Sequence, residues 1–209
     1  MIMLRGNMGK MPRTIKRFIK ALISLAKLNL NRCEYSKPIP NIHWSATLKN
    51  NCKIYFQGFV NIEKETIIKN KNGIIKFSNN VFVRRYAKIH NFNGNIDVGE
   101  NTTINDFTII QCSEGGVKIG KAVRIAPFVK IFAVNHVFEK LDNPIYAQGL
   151  VSEGISIGDN VWIGTGVFIA DGVKIGNNVV IGAGSVVTKS FENNLLIAGN
   201  PAKIIRKLE

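Results

Sequence analysis

The chain holds three histidines, His43, His90 and His136. An imidazole is the one side chain whose unperturbed pKa, about 6.5, places its charge change near neutral pH. His136 stands in a stretch, between Ile131 and Ile155, that interrupts an otherwise regular sequence. A long insertion of that kind in a regular domain is usually functional. There an imidazole can take the proton of a hydroxyl as its oxygen attacks an electrophile, a step that the hydroxyl alone performs poorly at neutral pH. Glu139, Asp142 or a backbone carbonyl would orient it. The histidines are too far apart in sequence for the close pair that a zinc site uses, so no metal is expected. Cys33, Cys52 and Cys112 are an odd number without close pairing, which points to a reducing compartment and not to a disulfide framework.

A period of six must position these residues. From Ile157 the chain reads Ile157-Gly-Asp-Asn-Val-Trp162, Ile163-Gly-Thr-Gly-Val-Phe168, Ile169-Ala-Asp-Gly-Val-Lys174, Ile175-Gly-Asn-Asn-Val-Val180 and Ile181-Gly-Ala-Gly-Ser-Val186. The apolar positions lie two apart and then four apart, which is neither the helical period nor simple strand alternation. It suits a short strand with two side chains inside, followed by a corner on small residues. Three blocks make one coil, so inward pairs recur at eighteen: Ile155/Ile157, Val161/Ile163 and Val167/Ile169 lie under Val173/Ile175, Val179/Ile181 and Ser185/Val187. The fold class is an all-β solenoid of stacked parallel strands.

Upstream the inward pairs are Ile75/Phe77, Val81/Val83, Ala87/Ile89, then Ile96/Val98, Thr102/Ile104, Thr108/Ile110, then Val117/Ile119, Val123/Ile125, Val129/Ile131. These coils start 21 residues apart, which predicts a small corner loop at Asn93-Gly94 and at Gly115-Gly116. Ala46, Leu48, Cys52 and Ile54 keep the spacing in the first coil, whereas the register from Phe59 to Ile68 is not readable. From Val117 to Ile155 the step is 38, and this predicts a loop over 132–154. The organisation is then a basic amphipathic helical segment over 1–38, the solenoid over 39–197, and a short C-terminal helix over 198–209, begun by an Asn200-Pro201 cap.

The formal net charge is +14 over 209 residues, and the first forty residues hold nine Lys and Arg against the single acid Glu34. Pro12 and Thr14 can open a helix, and Ile15, Phe18, Ile19, Leu22, Leu25, Ala26 and Leu28 give it an apolar face. Charges interrupt that face and no small-residue cleavage site follows, which disfavours a signal peptide. Two roles stay open: a cap on the end of the solenoid, and an interfacial helix on an anionic membrane. No helix-turn-helix, zinc-finger or RNP pattern is present, so nucleic acid is not expected as a partner.

Residues 75–208 resemble the hexapeptide-repeat acyltransferases, in particular the acetyl-CoA-dependent sugar O-acetyltransferases that act on maltose, galactosides and polysaccharides. The resemblance rests on His136, Gln148-Gly149, Val161-Trp162-Ile163-Gly164, the run Ile181-Gly182-Ala183-Gly184-Ser185-Val186-Val187-Thr188-Lys189, and Ala198-Gly199-Asn200-Pro201-Ala202-Lys203. It implies a left-handed parallel β-helix, a homotrimer with sites between neighbours, and acetyl-CoA as donor with no metal. It also implies transfer to a sugar hydroxyl with His136 as general base. Asn105 matches an acceptor-binding position, where an amide can both donate to and accept from hydroxyls. Trp162 faces outward and would be covered by the pantetheine arm or the loop. The Gly164 N–H would hold the thioester oxygen, Thr165 and Ala183 would receive the pantetheine amides, and Thr188, Lys189, Lys203 and Arg206 would surround the CoA phosphates.

Gln111, Cys112 and Ser113 depart from the galactoside enzymes, where an acid is expected, and this disfavours simple galactosides or maltose. A polysaccharide precursor built at the inner membrane face would suit the basic helix, and the expected location is cytoplasmic, peripheral to that face. Antibiotic or amino-sugar N-acetyltransfer on the same fold, and a non-catalytic binding solenoid, are the alternatives. A γ-type carbonic anhydrase would need a close histidine pair that this chain lacks.

Overall fold

The structure, a computed structural model, describes residues 12–30 and 33–209. Expectations that rest on residues 1–11, 31 and 32, among them the charges of Arg5, Lys10 and Arg32, lie outside the described residues. The coils wind as a left-handed parallel β-helix. Among the described residues its three faces are sheets of seven, nine and seven strands, parallel throughout except for the last pair of the second. The first runs from Glu34–Tyr35 to Lys174–Ile175, the second from Asn41–Ile42 to Ala202–Lys207, and the third from Thr47–Asn50 to Val186–Val187. We call the corners from first to second, second to third and third to first sheet the first, second and third edges.

The inward pairs read from the sequence between Ile75 and Ile131 are all buried, and Ile155 to Val187 likewise. Apolar side chains stack in register: Ile75, Ile96, Val117 and Ile155 are successive partners in the first sheet. Among the polar inward side chains, Thr102 and Ser185 have partners, as burial requires. Thr102 Oγ1 donates to the Gly120 carbonyl at 3.0 Å, and Ser185 Oγ to the Gly182 carbonyl at 2.6 Å. In the unread segment the inward pairs are Val60/Ile62 and Thr66/Ile68.

Cys52 is a correction. It is only half-buried, and the inward pair is Ile54/Phe56, whose Phe56 ring stacks on Phe77 at 5.5 Å. The cause is the longer third edge of the early coils, which adds residues before the first sheet is reached. Inside that edge the amides form a ladder: Asn91 Nδ2 donates to Asn70 Oδ1 at 2.8 Å, and Asn70 Nδ2 to Asn50 Oδ1 at 3.1 Å.

The N-terminal helix is Arg13–Leu30. It lies on the first coil with Ser24 and Leu28 buried. The Ser24 hydroxyl accepts the Ile42 N–H at 2.9 Å, and Lys27 Nζ donates to the Ala46 carbonyl. Ile15, Phe18 and Leu22 form a second apolar stripe that stays exposed.

The expected C-terminal helix is a strand. Ala202–Lys207 pairs antiparallel with Leu195–Gly199, which itself pairs with Val179–Ile181. The local Asn-Pro signal is outweighed by the unpaired edge of the last coil, where exposed N–H and C=O groups find partners in a returning strand.

Candidate active site

The 38-residue step leaves the third edge after Ala133 and returns at Ile155. Its root is a short antiparallel pair, with Asn135 opposite Val151 and His136 opposite Leu150. Gln148 staples the turn: its Nε2 donates to the carbonyls of Lys140 and Asn143 at 2.8 and 2.7 Å, and its Oε1 accepts the Lys140 N–H at 3.0 Å. Ser152 Oγ ties the root to the coil by donating to the Ala133 carbonyl at 2.6 Å and accepting the Gly115 N–H at 3.0 Å. These bonds hold His136 at the mouth of an open cavity of about 500 Å³, which Val137, Phe138, Glu139 and Ile145 also line. Of the expected orienting groups, Glu139 shares that cavity; among the described residues no hydrogen bond reaches the His136 ring. The outer loop carries Leu141 and Tyr146 almost fully in solvent, at 99% and 84% exposure.

The second edge is built from backbone. Gly164, Thr165 and Gly166 lie over Gly182, Ala183 and Gly184, with the Gly184 N–H on the Thr165 carbonyl at 2.8 Å, so Thr165 and Ala183 stack as their spacing predicts. Side chains at Gly166 and Gly184 would point into open space. Gly164 is a correction: its N–H is already given to the Ile181 carbonyl at 2.8 Å and cannot hold a developing oxyanion. A Cβ there would lie 2.6 Å from the Ala183 nitrogen, so its role is close packing of coils. Thr165 and Ala183 are exposed, and among the described residues their N–H groups donate to no backbone carbonyl.

Trp162 faces outward from the second sheet between Arg124 and Val180, 58% exposed. The chain's own loop leaves from another edge and does not cover it. Lys203 and Arg206 lie on the last strand of the same sheet. Thr188 and Lys189 do not join them; they follow the third sheet on the third edge, where Lys189 Nζ sits 5.7 Å from the Phe191 ring centre. The four expected phosphate ligands are therefore split within one chain. Asn105 lies on the second edge, half-buried, its Nδ2 donating to the Ile125 carbonyl at 2.7 Å. Cys112 is inert, since burial pushes its thiol up to about 12 and its Sγ rests 3.2 Å from Asn91 Oδ1. Among the described residues no group of His, Cys, Asp and Glu gathers to hold a metal ion.

The structure thus sorts the candidates by edge. Asn105, Gly164, Thr165 and Ala183 lie on the second edge, beside Trp162, Lys203 and Arg206 on the second sheet. His136, Thr188 and Lys189 lie on the third edge, across the width of the third sheet, roughly 10 Å for a strand of this length.

Sequence reasoning passed over one cluster. Tyr86, Phe107 and Phe128 stack along the second edge with ring centres 4.9 and 5.0 Å apart and planes within 4° and 1° of parallel. Their signal was in plain view, because aromatic residues recur there at the coil's own step of 21. Arg85 and Asp106 run beside them as an ion pair of 2.6 Å.

The pattern described as bacterial transferase hexapeptide (six repeats) matches residues 154–189. The galactoside O-acetyltransferase of Escherichia coli is 40% identical over 87 residues, 41% of this chain and 41% of that one. The chain spans 41–43% of the length of the curated relatives it matches. Among solved structures, a maltose O-acetyltransferase from Clostridium difficile 630 is 39% identical, with a TM-score of 0.55, over 62% of this chain and 67% of that one. A galactoside acetyltransferase in complex with coenzyme A is 38% identical, with a TM-score of 0.52, over 58% and 60%.

Proposed function

The chain belongs to the hexapeptide-repeat transferases, and from that premise we propose that it transfers an acetyl group from acetyl-CoA to a sugar hydroxyl, in sites assembled between copies of itself. The observation that carries this reading is the division of the candidates between two edges. One copy offers the second edge with its free Thr165 and Ala183 donors and its uncovered Trp162, and the next offers the third edge with His136. The exposed Leu141 and Tyr146 of the loop suit packing against a neighbour; a head-to-tail contact forms a ring where its rotation closes, and the ring proposed is a trimer.

In such a site the sugar hydroxyl sits near Asn105, and the His136 imidazole takes its proton as the oxygen attacks the thioester carbonyl carbon. The negative charge on the carbonyl oxygen is met by backbone N–H groups of the second edge, Thr165 and Ala183 being those still free. Collapse expels the CoA thiolate, which takes the proton back from the imidazolium. Trp162 packs on the pantetheine arm, and Lys203 and Arg206 of one copy, with Lys189 of the other, meet the phosphates. Acetyl-CoA supplied with a panel of sugars, nucleotide sugars and lipid-linked glycans should yield an acetyl ester on one class. Release of CoA without any acetylated product in the whole panel would count against the sugar reading.

The acceptor is a surface-polysaccharide precursor, met at the cytoplasmic face of a membrane. What supports this is the helix: one stripe caps the solenoid, and the stripe Ile15, Phe18, Leu22 remains exposed in the most basic part of the chain. No helix among the described residues is long and apolar enough to cross a membrane, so contact would be peripheral, at about 1 kcal/mol per basic residue near an anionic surface. Co-sedimentation with phosphatidylglycerol vesicles at low salt, lost with phosphatidylcholine and with Phe18→Asp, is the expected result. A full-length chain that stays in solution with both lipids removes the membrane from the proposal.

A further inference from the structure

The second edge continues upward from the free donors as an unbroken column. Gly184 bonds to Thr165, Gly166 to Pro127, Phe128 to Asp106, Phe107 to Arg85 and Tyr86 to Lys64, each from its N–H to the carbonyl of the coil before. The lower half of this column is glycine and the upper half is the aromatic ladder. All three aromatic residues sit at positive φ, between 59° and 63°, a conformation that bulky side chains rarely take. Folding alone does not ask for them there. The first edge meets the same backbone demand with Asn80, Asn101, Ala122, Asn160, Asn178 and Asn194, all short side chains, five of them the asparagine that tolerates it best.

The rings are also left in solvent, and increasingly so toward the glycines: Tyr86 is 39%, Phe107 44% and Phe128 54% exposed. Tyr86 and Phe107 cover each other's faces and present their rims. Phe128 ends the stack, and the next position on the column is Gly166, which has no side chain to cover the remaining face. That open face lies between Asn105 and the donor half of the edge.

We propose that the second edge is an oligosaccharide track: the reacting sugar stacks on the open face of Phe128, and the sugars beyond it lie along the rims of Phe107 and Tyr86. This rests on the transferase reading and names the acceptor class, a linear glycan of several residues. The chemistry fits on two counts. A pyranose presents a face of C–H groups that packs on an aromatic ring, while its hydroxyls need fixed polar partners at the rim. Asp106 and Arg85 supply such partners along the ladder, with the Arg85 Nε and Nη2 both on Asp106 Oδ2 at 3.0 and 2.6 Å. One ring rim recurs at each step of about 5 Å, comparable with the length of one sugar residue in a linear chain. The track ends at a cavity of about 380 Å³ lined by Lys20, His43, Trp44, Glu63, Lys64 and Arg85, beneath the N-terminal helix.

The test measures binding by calorimetry on the full-length protein without donor, so that it does not depend on catalysis. The probes are linear hexasaccharides of glucose, N-acetylglucosamine and galacturonic acid, each against its monosaccharide. At least one hexasaccharide should bind about ten-fold more tightly than its monosaccharide. Phe107→Asn and Tyr86→Asn, which keep a residue suited to positive φ, should abolish that preference and leave the monosaccharide unchanged, whereas Phe128→Asn should weaken both. The proposal falls if no hexasaccharide is preferred, or if the preference survives Phe107→Asn. It falls equally if light scattering shows that the variants break the oligomer, since the rings would then be a contact between copies. Acetyl-CoA binding, followed separately, decides the transferase reading: ladder-dependent glycan binding without any acetyl-CoA binding would overturn that reading and leave the track standing.

Discussion

The first and second edges of the prism ask the same thing of the backbone and receive opposite answers. At the first edge the five asparagines Asn80, Asn101, Asn160, Asn178 and Asn194, with Ala122 among them, take φ between 55° and 61°. Their amides join along the edge, Asn80 to Asn101 at 2.8 Å, Asn160 to Asn178 at 2.9 Å and Asn178 to Asn194 at 2.8 Å. That is the inexpensive solution, with a tolerant residue and its own hydrogen bond. Past Glu65 in the first coil, the same conformation is held at the second edge by Tyr86, Phe107 and Phe128, then by Gly166 and Gly184. The first three crowd a corner where bulk is costly, and the last two give up every side-chain contact. An edge that departs from the cheap solution in both directions is shaped by what touches it from outside.

If the second edge is the working one, its missing base must come from another copy, and this is where the largest effect is expected. His136→Ala should lower kcat by about 10²–10⁴, the usual contribution of a general base, while the rise in melting temperature produced by acetyl-CoA stays as it was. Near-normal turnover would remove His136 from the mechanism. The division between edges sharpens the test. Inactive His136→Ala chains, refolded together with chains blocked at the second edge, should regain about a quarter of the activity, because some sites then join an intact third edge to an intact second edge. No recovery from well-formed mixed oligomers would place the whole site in one chain.

The next effect is smaller and converts one edge into the other. Gly166→Asn and Gly184→Asn give the second edge the first edge's solution. Asn accepts positive φ, and the added side chains enter open space, so the melting temperature of the free protein should hardly move. Acetyl-CoA should nevertheless bind about ten-fold more weakly, equivalent to about 1.4 kcal/mol, because those side chains fill the groove beside the free Thr165 and Ala183 donors. The readout is the ligand-induced thermal shift, which follows affinity by mass action. Unchanged shifts in both variants would move the donor off this edge.

Much of this was legible because a solenoid repeats its instructions. The strict sixes from Ile157 to Val186 give the inward pairs without ambiguity, and the 21-residue step carries the same register back to Ile75. Legibility failed where a local signal met a longer-range demand. Asn200-Pro201 reads as a helix start, but the last coil leaves a sheet edge open, and pairing Leu195–Gly199 with Ala202–Lys207 closes it. Cys52 fits the two-then-four spacing, but the longer third edge shifts the inward pair to Ile54 and Phe56. Gly164 matched an expected oxyanion donor, yet the ladder between coils had already taken its N–H. The ladder of Tyr86, Phe107 and Phe128 was missed because outward corner positions were read for backbone freedom and not for what their side chains build. The division of the site was hidden for a different reason: a resemblance names residues by role, whereas the edge they occupy follows from counting within the coil.

The smallest expected effect separates folding from function at the two edges. Asn101→Ala places a side chain with no polar handle at φ 59° and removes the bond from Asn80. Its cost should be about 1 kcal/mol, from strain at positive φ and one lost hydrogen bond. For a chain of this size that lowers the melting temperature by about 2–4 °C. Phe107→Asn makes the opposite exchange at φ 59°. It gives up contact with the Tyr86 and Phe128 rings, worth about 0.5–1.5 kcal/mol for each of the two pairs and so about 1–3 kcal/mol together, and relieves a bulky residue of the left-handed conformation, worth about 1–2 kcal/mol. The two terms are of similar size, so the melting temperature should stay within the error of the measurement while Asn101→Ala falls. A Phe107→Asn variant that loses several degrees more than Asn101→Ala would mean that the stacked rings hold the corner together. The contrast between the edges would then be a matter of packing, and the exposure of the ladder toward Gly166 would need no ligand.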